Sequence, residues 1–194
     1  MCGRYYIEID EEELRDIVIE VEKKTRESGE QLTLGGAMKT GGEIFPTDVV
    51  PVRTEDGGYA AMKWGFVGYN GKPVINARSE TALEKPMFQN AMRERRCLIP
   101  AGGYYEWRKA GAKKVKYQFF IPGQRLHFAG CWRQEKGSQI YTFVILTRQA
   151  AGGAEAIHDR MPVIIPESRM DAWLREGPEA MKEAVTELSY KPAV

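Results

Sequence analysis

Four residues in this sequence are of types used in covalent catalysis. A cysteine follows the initiator methionine in "MCGRYY"; Asn76 lies in "VINARSET", Glu106 in "LIPAGGYYEW" and His158 in "AIHDRMPVII". Each polar group sits beside an apolar run, where burial is costly unless the group is paired or functional. Cys, Asn, Glu and His supply a nucleophile, a polar orienter, a general base and a general acid. Methionine is usually trimmed when the next side chain is small. The expected processed chain begins at Cys2, with a free amine and a thiol two carbons apart. Each residue also has a plainer reading: Asn76 as a turn cap, Glu106 as the partner of an arginine, His158 as a satisfied core histidine. The four lie far apart in sequence, so only the fold can bring them together.

The elements that must do so are legible from periodicity. "DEEELRDIVIEVEKKTRE" places Leu14, Ile17, Val18 and Val21 on one helical stripe. Asp10 is positioned to cap it, with Glu13 three residues on. "SGEQLTLGGAMKTGGE", including the Gly-rich 35–42 stretch, reads as a connector. Strand-like runs follow: "VVPVR", "YAAMKWGFV", "RRCLIPA", "KVKYQFFI", "LHFAGCWR" and "YTFVILTR", with "PGQ" and "EKGSQ" as turns between the last three. "ETALEKPMFQNAMRER" predicts a helix past Pro86, and "PESRMDAWLRE" a short one near the end. The pattern implies a single α+β domain over residues 1–194 with a mainly antiparallel sheet core and flanking helices.

Composition narrows the classes. With 43% hydrophobic and 28% charged residues the chain reads as an ordinary soluble protein. No apolar run approaches the roughly 20 residues of a membrane span. The acidic "DEEE" stands where a signal peptide would have its apolar region. Three cysteines without a CxxC motif, and two histidines, speak against a disulfide framework and a metal site. A cytoplasmic, reducing location is the expectation, with Cys97 and Cys131 as small buried hydrophobes. Net charge is +1, but residues 93–116 carry eight Lys or Arg against two acids. Such a run is either a local phosphate-binding face or a solvated hairpin.

"MCGRY", "NARSET", "RRCLIPAGGYYEW", "HFAGCW", "FVILT" and "IHDRMPVII" occur in this order from Cys2 to about Trp173. Together they resemble the SRAP family, named for SOS response-associated peptidase. The resemblance implies a barrel-like core and a function: sensing abasic sites in single-stranded DNA and crosslinking to them through the N-terminal cysteine. It maps Cys2 as nucleophile, with Asn76, Glu106 and His158 as its catalytic partners. Arg4, Arg78 and Arg160 match positions used around the DNA backbone and the site. The implied partner is single-stranded DNA containing abasic sites, bound by a monomer without membrane, metal or cofactor. One departure stands out. Only "VGYNGKPVI" separates "WGF" from "NARSE", where family members commonly carry a longer segment.

The chemistry follows from the aminothiol. A ring-opened abasic sugar is an aldehyde; the amine attacks it to give an imine, and the tethered thiol closes onto that imine as a thiazolidine. Closure is intramolecular and gains a large effective molarity. Glu106 is the candidate to take the amine's proton, and His158 to deliver one to the ring oxygen. Asn76 orients, the arginines grip phosphates, and Trp64 either stacks a base or fills the core. Two alternatives stay open on the same residues. One is an N-terminal-cysteine peptidase or amidohydrolase, including self-processing of Met1; the other is a non-covalent single-strand-binding module.

Overall fold

The computed structural model describes residues 2–8, 11–27, 38–111 and 113–193, without the side chains at 11, 13, 14 and 24–27. The expected removal of Met1, the Asp10–Glu13 cap, the Leu14 side chain and the first part of the connector (28–37) lie outside the described residues.

Among the described residues, fourteen strands and two α-helices follow in chain order. The first are β1 (Tyr5–Ile7), α1 (Glu11–Glu27), β2 (Gly42–Ile44), β3 (Val49–Arg53), β4 (Tyr59–Trp64), β5 (Phe66–Val67), β6 (Pro73–Val74) and β7 (Asn76–Arg78). Then come α2 (Gln89–Glu94), β8 (Arg96–Ala101), β9 (Gly103–Ala110), β10 (Lys113–Phe120), β11 (Leu126–Gln134) and β12 (Tyr141–Gln149). The last strands are β13 (Arg160–Pro162) and β14 (Ser189–Pro192).

Five strands close on themselves: β8 pairs β3, β3 pairs β4, β4 pairs β12, β12 pairs β11 and β11 pairs β8. Closure into a barrel leaves these strands no free edge along the paired stretches. All five pairings are antiparallel except β4 with β12. The far end of β12 carries two more strands, β7 in parallel and β13 in antiparallel register. A second, antiparallel sheet runs β14–β10–β9–β1–β2. The fold is therefore a mostly β domain around a barrel-like core, with few helices.

The alternation of side chains explains the apolar runs. Along β12, Phe143 and Ile145 join one core cluster while Val144 and Leu146 join the other. With both faces buried, "FVIL" reads as continuously apolar rather than alternating. Cys97 and Ile99 on β8 likewise face one cluster and Leu98 the other.

Three expectations are refined. "YAAMKWGFV" breaks at Gly65, whose φ of +117° suits only glycine, and a Cβ there would lie 2.9 Å from that of Pro73. The helix after Pro86 is short, and "PESRMDAWLRE" forms a 3₁₀ turn (Glu167–Arg169) and a π turn (Ala172–Glu176). The buried Arg96 accounts for both. Its guanidinium donates to Met92 O and Arg93 O at the end of α2, at 3.1 and 2.8 Å. It also donates to Trp173 O and Leu174 O in the π turn, at 2.7 and 3.1 Å. Carbonyls bound to Arg96 satisfy helix ends that the local sequence leaves open.

Candidate active site

Strand β1 is anchored by the two glycines of "AGGYYEW". Tyr6 pairs with Gly103 and its hydroxyl donates to Gly102 O at 2.8 Å. A Cβ on Gly103 would lie 2.7 Å from the Tyr6 ring, so only glycine lets β1 seat against β9. That seating brings the N-terminal segment into the core and places Cys2 at 0% exposure.

The Cys2 thiol donates to Arg4 O at 3.9 Å. Burial pushes it far above the ordinary thiol range, and the Glu106 carboxylate adds to the push. The resting group is a neutral thiol. Asn76 opens β7, in register with Ile145 of β12. Its Nδ2 donates to Cys2 O at 2.8 Å. Its Oδ1 is buried with no hydrogen-bond partner among the described residues. The amide thus fixes the backbone of residue 2 and keeps one acceptor in reserve.

Glu106 lies on β9, two residues beyond Tyr104 and on the same buried side. His158 follows the 3₁₀ turn Gly152–Ala156, where its N–H donates to Ala154 O at 3.0 Å. Its Nε2 stands 4.0 Å from Glu106 Oε2. The Arg160 N–H donates to His158 Nδ1 at 3.0 Å, so the neutral ring carries its proton on Nε2, toward Glu106. Asp159 Oδ1 lies 2.7 Å from the same Nδ1. One nitrogen cannot serve both partners, so Asp159 becomes the partner once the ring is protonated. An open cleft of about 690 Å³ reaches Glu106 and His158, flanked by Trp107 and by Arg108, Lys109 and Lys114 of the β9–β10 hairpin.

The structure thus gathers Cys2, Asn76, Glu106 and His158, and it differentiates the other candidates. Arg4 is half-buried; its Nη1 donates to Glu43 at 3.0 Å and its guanidinium lies 3.7 Å over the Phe45 ring. Lys116 shares the same Glu43 oxygen at 2.8 Å. Arg78 is exposed at the end of β7. Arg160 is committed to Glu80 through two bonds of 2.7 and 2.8 Å, and to Thr147 O at 2.6 Å. The hydrogen bond from Arg160 draws the Glu80 carboxyl down to about 2. Trp64 corrects the base-stacking expectation. It is 0% exposed, its indole N–H donates to Ile75 O at 3.0 Å, and it packs against Tyr5 and Phe143. A side chain closed in on all sides offers no face to a base.

Sequence reasoning missed Glu43 and Glu80, whose partners lie 39 and 80 residues away. Glu80 did stand in "NARSET", but nothing local ties it to Arg160. The 93–116 basic run also divides: Arg96 is buried, Arg93 lies in α2 and Arg95 just past it, Lys116 pairs with Glu43, and Arg108, Lys109 and Lys114 of the hairpin line the cleft. Among the described residues no cluster of three or more His, Cys, Asp or Glu could hold a metal ion, and no helix is long and apolar enough to cross a membrane.

A buried cysteine tethered through Asn76, with the Glu106 carboxylate near its thiol and His158 Nε2 4.0 Å from that carboxylate, is the arrangement that the comparisons with known proteins bear on. The family model described as SOS response associated peptidase matches residues 1–193, and the chain belongs to that family. It is 35% identical over 127 residues to the abasic site processing protein YobE of Bacillus subtilis, a match covering 58% of this chain and 57% of that protein. It is 35% identical over 131 residues to the abasic site processing protein YedK of Escherichia coli, covering 63% and 59%. The chain thus spans less than two thirds of the length of these relatives. A crystal structure of a Bordetella bronchiseptica protein shares the fold, with a TM-score of 0.75 at 22% identity over 100% of both chains.

Proposed function

We propose that this protein captures abasic sites in single-stranded DNA as a thiazolidine formed by the amine and thiol of Cys2. The observation that supports the reading is the hydrogen bond from Asn76 to Cys2 O, with the Glu106 carboxylate acting on the Cys2 thiol and His158 Nε2 4.0 Å from Glu106. The names of the relatives, abasic site processing proteins, supply the substrate class.

The steps balance without any redox change. His158, as the imidazolium, delivers its Nε2 proton to the sugar ring oxygen while the anomeric hydroxyl gives up its proton to water, and the hemiacetal opens to the aldehyde. Glu106 takes a proton from the Cys2 ammonium, freeing the amine to attack. Water leaves and an imine forms. The sulfur then bonds to the former aldehyde carbon, and the nitrogen recovers a proton. A neutral, buried thiol suits this order, because it is held back from other electrophiles until the imine stands next to it. Asn76 holds the aminothiol in place, and its unpartnered oxygen is an acceptor for the amine or a sugar hydroxyl. Arg78 and the hairpin cations are the candidate phosphate contacts. Arg4 and Arg160, already paired with carboxylates, position the site rather than bind freely.

The test pairs the wild-type chain, processed to start at Cys2, with Cys2→Ala on single-stranded DNA containing one abasic site. The wild type should give a band that survives a denaturing gel. Cys2→Ala keeps the amine, so its adduct should survive only after borohydride reduction. No wild-type adduct, with peptide or amide turnover instead, overturns the proposal in favour of a hydrolase.

A further inference from the structure

Two tyrosine hydroxyls in the core cluster that contains Cys2 are buried with no hydrogen-bond partner among the described residues: those of Tyr5, three residues along the chain from Cys2, and of Tyr104, two residues before Glu106 on the same side of β9. The residues face each other across β1 and β9. Both are 0% exposed. Both rings meet the edge of Phe128, at 5.8 and 6.2 Å. Tyr104 also stacks on Phe119 at 4.7 Å, and Tyr5 meets Trp64 at 5.1 Å. Phenylalanine would fill both places without burying a polar atom, so a purely structural role gives the hydroxyls no purpose.

Their surroundings supply one. The thiol now donates to Arg4 O. A thiolate has no proton to donate, and that carbonyl would repel it. Sulfur that is about to attack needs donors, and it sits in a dry site where each is worth most. Both phenols stay protonated. Burial raises each well above the ordinary range, and the neighbouring Cys2 raises each further, joined by Asp48 at Tyr5 and Glu106 at Tyr104.

We propose that the hydroxyls of Tyr5 and Tyr104 are the hydrogen-bond donors that stabilise the Cys2 sulfur as it closes onto the imine. The inference rests on the crosslinking reading and assigns these residues to its second half only. In that half the thiol proton passes to the imine nitrogen, directly or through Glu106. The C–S bond forms as the C=N π pair becomes the nitrogen lone pair. The phenols give hydrogen bonds and keep their protons.

The experiment uses Tyr5→Phe, Tyr104→Phe and the double variant, each beginning at Cys2, with abasic single-stranded DNA. Thermal melting should show midpoints equal to or above wild type, since only an unpartnered hydroxyl is lost. The initial rate of borohydride-trapped imine should not change. The stable, borohydride-independent crosslink should form roughly 10- to 100-fold more slowly in each single variant, the scale of one hydrogen bond to a charged group. The imine should therefore accumulate and the nicked strand increase. Placing 3-fluorotyrosine at 104 keeps the packing and makes the hydroxyl a stronger donor, so closure should quicken. It also serves as the readout should a phenylalanine variant fail to fold. Wild-type partition between imine and stable crosslink in the single variants and in the fluorinated protein overturns the inference while leaving the crosslinking reading intact. No adduct from the wild-type protein removes both.

Discussion

In the proposed reaction Glu106 and His158 divide the proton work between two sides of one contact. In the resting geometry Nε2 and Oε2 are 4.0 Å apart, long for a hydrogen bond. A ligand entering between them can touch both, and contacts that are loose in a free enzyme tighten around substrate. The nucleophile itself survives loss of either residue. Glu106→Ala and His158→Ala should therefore slow crosslinking by about 10²–10⁴-fold while the final yield with excess DNA stays near wild type. Quenched time courses distinguish the two outcomes, and a variant that reacts at wild-type speed loses its assigned role. The candidate residues at this scale stood out in the sequence because Cys2, Asn76, Glu106 and His158 are polar or ionisable groups set beside apolar runs. The Asn76–Cys2 bond was not, because its partners lie 74 residues apart. The Trp64 alternatives could be separated only by seeing the indole N–H satisfied inside the barrel.

At the scale of elements, strands were easier to read than helices. Val49–Arg53 matches its apolar run residue for residue, and "EKGSQ" joins β11 and β12 as a hairpin; "PGQ" instead links β10 and β11, which lie in different sheets and do not pair with each other. Barrel closure was not readable, since it depends on β4 meeting β12 in parallel across 79 residues. The turns of the C-terminal third depend on Arg96, a buried cation supplied by another part of the chain. Strands β7 and β13, which carry Asn76 and Arg160, flank the end of β12 and are tied by Arg160 to Glu80. That tie predicts a pH dependence. Glu80 is held at about 2, below its ordinary 4.5. A depressed carboxyl contributes in full above about 4.5, and the contribution is lost as pH falls from there through about 2. Because the Glu80 side chain is 48% exposed, solvent screening limits the effect to about 1 kcal/mol or less. Urea midpoints of wild type and Glu80→Gln should differ at pH 6 and converge toward pH 2. A difference that persists into acid would mean that the substitution acts through packing rather than charge.

At the scale of the whole molecule, a net charge of +1 leaves no global field, so under the proposed function the attraction for single-stranded DNA comes from the local arrangement of cations. The contiguous basic run in sequence does not survive as one surface: Arg96 turns inward, Arg93 and Arg95 stay with α2, and the β9–β10 hairpin carries Arg108, Lys109, Lys113 and Lys114. Of these, Arg108, Lys109 and Lys114 line the cleft that ends at Glu106 and His158. A strand whose abasic sugar reaches Cys2 through that cleft must run its phosphates past the hairpin. Each phosphate neutralised releases counterions and adds about 0.7 to the log–log salt slope for single-stranded DNA. Lys109→Ala and Lys114→Ala should each lower the slope by roughly that amount, and the double variant by about twice as much, with stability unchanged because both side chains are exposed. Arg93→Ala, a surface cation on α2, is the control and should leave the slope alone. The ligand should be intact single-stranded DNA, so that covalent capture does not distort the equilibrium, with binding followed by fluorescence anisotropy across a salt series. A slope unchanged in the hairpin variants but reduced by Arg93→Ala would send the strand over α2, and the cleft at His158 would then admit the sugar from the opposite side.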